Sequence, residues 1–107
     1  MLKLTEKEQI CLEALEEICK KYEMENEYSI GSTSEQRVCI CKRESNWEVF
    51  IVERGIEFAK TKHKDCLDAC LKVLKQCSYS IDEFKDASNE FKNILEKSKT
   101  NKALVKK

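Results

Sequence analysis

The chain has no proline, two glycines, one histidine and one tryptophan in 107 residues, and these scarcities remove several classes of function. Gly31 and Gly55 stand far apart, so there is no Gly-rich loop to cradle phosphate on backbone amides. His63 sits among Lys60, Lys62 and Lys64, with no serine or cysteine placed beside it as a nucleophile beside its base. It reads as an exposed loop residue. Apolar runs fall well short of the ~20 residues that span a bilayer, and Met-Leu-Lys-Leu-Thr at the N-terminus lacks the features of a secretion signal. The expectation is a cytoplasmic protein with no membrane partner.

Excess charge is missing too. The formal net charge is zero, and it is unevenly spread. Residues 1–27 carry eight Glu against four Lys, and residues 85–107 carry seven Lys against one Asp and two Glu. Phosphate binding needs a basic patch that the acidic first segment would oppose, so no direct nucleic-acid partner is expected. The asymmetry reads as two solvated helix faces of opposite sign.

What is present suits one small domain. With 41% hydrophobic and 37% charged residues, the chain can bury a single core beneath a Lys- and Glu-rich exterior. Thr5 and Glu8 form a capping-box pattern, followed by an apolar stripe of Cys11, Leu15, Ile18, Cys19 and Tyr22. A first helix is predicted from Glu6 to about Glu25. From Tyr28 the period becomes two, through Tyr28 and Ile30, Val38 to Cys41, and Trp47 to Val52, with turn residues at 31–34 and 44–46. Consecutive hairpins account for these runs, and Ile56 with Phe58 suggests a short fourth strand. The third strand is apolar on both sides, which implies that the second sheet face is covered.

Asp65 is a plausible cap for a helix with the stripe Cys66, Ala69, Cys70, Val73, Leu74 and Cys77. Ser80 with Glu83, and Tyr79 with Phe84, predict a capping box and a hydrophobic staple starting a third helix at Ile81, buried along Phe84, Ala87, Phe91, Ile94 and Leu95. The expected architecture is an α+β two-layer domain over residues 1–97: an N-terminal helix, three or four antiparallel strands and two C-terminal helices. Residues 98–107 are expected to form a basic, frayed tail.

The seven cysteines are odd in number and accompany no export signal, which argues for free thiols. Cys39, Cys41, Cys66 and Cys70 could in principle hold a tetrahedral zinc. Strand spacing separates the first pair by about 6 to 7 Å, however, and the helical cysteines fall on apolar stripes. Core packing is the reading adopted, with a cysteine-based zinc or thiol protein as an alternative. No pair of carboxylates is marked as acid and base, so no enzyme, catalytic residue or cofactor is expected. Glu53-Arg54-Gly55 reads either as a strand end turned by Gly55 or as a platform presenting the Arg54 fork.

Trp47-x-Val49-Phe50-x-x-Glu53-Arg54-Gly55, followed by Asp68-Ala69-Cys70, resembles a pattern in small immunity proteins of bacterial polymorphic-toxin and contact-dependent inhibition systems. The similarity runs from Trp47 to Leu74; around His63 the chain is polar where an aromatic would lead into the helix. It implies a non-enzymatic protein that binds a cognate toxin domain 1:1 and blocks its active site or substrate access. Toxins that are nucleases have basic clefts, toward which an acidic surface is steered. The interface candidates are Glu13, Glu16, Glu17 and Glu23 on the first helix, or the edge at Glu53 and Arg54. A regulatory or adaptor module of phage or mobile-element origin is the other reading.

Overall fold

A computed structural model describes the backbone of residues 4–105 and the side chains of residues 4–98. Its elements are α1 (Glu6–Lys21), β1 (Tyr28–Ile30), β2 (Val38–Arg43), β3 (Asn46–Glu53), β4 (Ile56–His63), α2 (Cys66–Cys77) and α3 (Ile81–Val105). This is an α+β fold: a four-stranded sheet in the order β1-β2-β3-β4, with α2 lying on β2, β3 and β4, and α1 and α3 beside it.

The caps form where local chemistry places them. The Thr5 hydroxyl accepts the Glu8 N–H at 3.1 Å, and Glu8 accepts the Thr5 N–H at 2.9 Å. Glu8 reaches further than a cap residue needs to. Its carboxylate also accepts Lys42 Nζ at 2.8 Å and Trp47 Nε1 at 2.9 Å, clamping the start of α1 to β2 and β3. α1 stops at Lys21 rather than near Glu25, because Glu23 takes a left-handed conformation with φ 59°. The Met24 N–H then bonds the Cys19 carbonyl at 2.7 Å and the Glu23 N–H bonds that of Lys20 at 3.3 Å, the paired bonds of a Schellman ending.

Asp65 caps α2 by accepting the Asp68 N–H at 2.8 Å. At α3, Ser80 accepts the Glu83 N–H at 3.1 Å, while Glu83 takes the Tyr79 N–H at 3.0 Å. The expected staple is not made: Phe84 packs on the core, and Tyr79 is 91% exposed. α3 passes the Lys97 end suggested by its apolar face, so residues 98–105, read above as tail, continue the helix backbone.

The sheet is mixed rather than wholly antiparallel. β2 and β3 pair antiparallel, as do β3 and β4, but β1 runs parallel to β2, with Tyr28 beside Val38 and Ile30 beside Ile40. The cause lies in residues 31–37, which fold back as a loop instead of closing a tight hairpin. Gly31 and Gln36 take φ of 78° and 60°, and the Gln36 N–H bonds the Val52 carbonyl at 2.8 Å. The chain therefore re-enters the sheet in its original direction.

Trp47 and Val49 face the helices, whereas Phe50 and Val52 join Cys39 and Cys41 on the other side. Cover for that second face comes from charged side chains. Arg43 Cζ and Lys60 Nζ lie 4.7 and 5.6 Å from the centroid of the Phe50 ring, so both cationic heads sit over its face. Arg43 grips Glu57 through two bonds of 3.0 and 2.8 Å, and both cations also pair with Glu48. Phe50 is fully buried as a result.

The β3–β4 register shifts between Val49 and Ile51, forming a bulge at which Ala59 has φ 53°. An L-residue in the left-handed region is strained by about 1 to 2 kcal/mol, and glycine is not, though glycine loses more chain entropy on folding. Ala59→Gly is therefore expected to stabilise the protein by about 1 kcal/mol in urea unfolding. A destabilised variant would show that the bulge does not strain Ala59.

Candidate functional site

Arg54 and Gly55 are the central residues of the hairpin joining β3 to β4, and their φ values of 52° and 75° match a type I′ turn. Gly55 supplies one positive φ without strain, and Arg54 accepts the other. The turn is fixed from the side as well: the Glu35 carboxylate accepts the Gly55 N–H at 3.0 Å. Glu35 also forms a bridge with Val52, so the 31–37 loop and the hairpin make one wall.

Beyond the turn, Ile56 and Phe58 pair with Glu53 and Ile51 of β3, and Phe58 shares the helix-facing side of the sheet with Ile51. α2 approaches β4 at its other end, where Asp68 meets His63. The start of β4 is left uncovered, so Ile56 is 58% and Phe58 47% exposed. With Glu35, Gln36, Glu53 and Arg54 they line a shallow groove. Two large apolar side chains beside an arginine on a preordered turn have the composition of an interface anchor.

The six sequence candidates belong to two features. Glu53 and Arg54 are exposed at this groove, while Glu13, Glu16 and Glu17 are exposed along α1. Glu23 is exposed at the left-handed helix ending, a backbone role that its sequence position did not suggest. Glu17 lines a separate depression with Lys21 and Glu90, which shares no residue with the groove at Arg54. Ile56 and Phe58 were read only as strand residues; their alternation gives their side of the sheet but not where helical cover stops.

His63 is not an exposed loop residue. It ends β4 with its side chain 11% exposed, Nδ1 lying 2.6 Å from Asp68 Oδ2 and Nε2 lying 2.8 Å from Thr61 Oγ1. Hydroxyl, imidazole and carboxylate are thus joined through the two ring nitrogens, tying the end of β4 to the first turn of α2.

The zinc quartet is not assembled. Cys39 and Cys41 lie on the far face of the sheet, and Cys66 and Cys70 lie in the helix-side core. Strand alternation sends the first pair away from the helices. Cys70 Sγ instead stands 3.9 Å from both Cys11 Sγ and Cys66 Sγ. Burial pushes Cys19 and Cys77 up to about 12 each, which keeps both as neutral thiols near pH 7.

No protein-family model, curated protein or solved structure matches this chain. Among the described residues, no helix is long and apolar enough to cross a membrane.

Proposed function

We propose that this chain is an immunity protein, a non-enzymatic module that binds one cognate bacterial toxin domain and blocks its active site or substrate access. The observation carrying this reading is the exposed Ile56 and Phe58 pair beside Arg54, on a turn pinned by Glu35. Such a surface loses little freedom on binding, so apolar burial and the guanidinium fork convert more fully into affinity. The stretch from Trp47 to Leu74 that resembles immunity proteins runs through this turn.

The exposed carboxylates of Glu13, Glu16 and Glu17 support a partner with a basic surface, such as a nuclease cleft. They would speed encounter, and the groove would hold the complex. The test is to mix the purified chain with the toxin domain encoded immediately upstream and determine mass by light scattering. A 1:1 complex is expected; two separate species would reject the reading.

A second prediction separates steering from anchoring. Glu13→Lys combined with Glu16→Lys should slow association by about tenfold or more at low salt, with the difference shrinking as salt rises. Stopped-flow mixing across a salt series checks this. An unchanged association rate would remove α1 from the encounter surface.

A further inference from the structure

The helical cysteines are more than scattered core residues. Cys66 opens α2 and Cys70 lies one turn later, a spacing that puts both sulfurs on one helix face. Cys11 of α1 meets them, and all three sulfurs lie within 4.8 Å of one another. Ordinary core packing needs small apolar volume at these places, which alanine or valine also supplies. It does not need three sulfurs to converge from two helices.

We propose that Cys11, Cys66 and Cys70 form a three-coordinate site for a soft, thiophilic d10 cation, with copper(I) as the first candidate and zinc(II) as the second. A cation in the plane of three sulfurs at a bond length of about 2.3 Å needs them about 4.0 Å apart. Two of the separations are 3.9 Å, so the cation requires only a modest closing of the Cys11–Cys66 side.

The surroundings favour a soft ion. Cys11 and Cys66 are 5% exposed and Cys70 is fully buried, which leaves little room for water ligands. Among the described residues, no fourth histidine, cysteine or carboxylate joins the cluster. Copper(I) is satisfied by three thiolates, whereas zinc would have to recruit a fourth ligand. Binding replaces thiol protons, which pass to solvent, and affinity should rise with pH. The α2 dipole eases that loss at Cys66, which stands at its positive end.

The experiment titrates the reduced full chain, under anaerobic conditions, with copper(I) and in a separate arm with zinc(II), each against a chromophoric chelator. One equivalent per chain is expected in the copper arm, with sulfur-only coordination in X-ray absorption. Loss of a supporting outer partner typically weakens metal sites by about 10- to 100-fold, so removing a sulfur should exceed about 100-fold. Cys66→Ser and Cys70→Ala should both show that loss, and Cys41→Ser, on the far sheet face, should bind as the wild type does. Cys66→Ser changes the first residue of α2 and is the variant least prone to unfolding; circular dichroism checks its fold. Uptake of one zinc instead of copper, lost in the same two variants, supports the site with zinc as occupant. Retention of neither cation, or uptake unchanged in Cys66→Ser and Cys70→Ala, overturns the proposal.

Discussion

Glu8→Ala is expected to lower the unfolding free energy by about 3 kcal/mol, the sum of a lost cap and two lost partners. Glu8 closes the capping box, pairs with Lys42 and satisfies the indole N–H of Trp47, which is 2% exposed. Alanine leaves that N–H without its acceptor and takes one carboxylate partner from a largely covered ammonium. The melting temperature should fall by roughly 15 °C, since each kcal/mol moves a domain of this size by about 4 to 8 °C. Calorimetry checks this, and a change under about 1 kcal/mol would mean that the clamp is ornamental.

The same carboxylate sets an acid limit. Burial pushes the Glu8 pKa up, but hydrogen bonds from Lys42, the Thr5 backbone and Trp47 outweigh it and hold the value at about 2 against an ordinary 4.5. A group depressed in the folded state contributes its full stability above 4.5 and loses it as pH falls toward 2. The gap between wild type and Glu8→Ala should therefore be widest above pH 5 and close toward pH 2. Glu57, held at about 2 by hydrogen bonds from Arg43 and Lys60, adds acid sensitivity in the same window to both proteins.

If the proposed function holds, Ile56→Asp combined with Phe58→Asp is expected to abolish binding of the proposed toxin partner while leaving the fold intact. Ile56 is 58% and Phe58 47% exposed, so aspartate there costs less than at a core position in the free protein. In a complex it would bury two uncompensated carboxylates and remove both apolar anchors. Central anchor residues contribute about 2 to 4 kcal/mol each, so affinity should fall at least about 1,000-fold. Isothermal titration calorimetry reads the loss, and circular dichroism confirms that the variant is folded. Retained affinity would place the interface elsewhere on the surface.

Local signals were readable in the sequence because their chemistry is local. Thr5 with Glu8, Asp65 and Ser80 mark helix starts within four residues of the groups they satisfy. The helical phase of Cys11, Cys19, Cys66 and Cys70 assigned them to the core, where they are found. The direction of β1 was not readable, because it depends on how residues 31–37 close against β3. Glycine scarcity hid further features. With only two glycines, left-handed backbone falls on Glu23, Gln36, Glu44, Arg54 and Ala59, residue types that do not announce it. Glu8 was legible as a cap but not as the partner of Lys42 and Trp47. The convergence of Cys11 on Cys66 and Cys70 depends on the relative rotation of two helices, which neither stripe specifies alone.

The most direct test of the proposed function is bacterial growth during induced expression of the gene product encoded immediately upstream, with and without this chain. Wild-type chain should restore growth, and the Ile56→Asp, Phe58→Asp variant at equal abundance should not. Continued growth arrest in the presence of abundant wild-type chain would contradict the account.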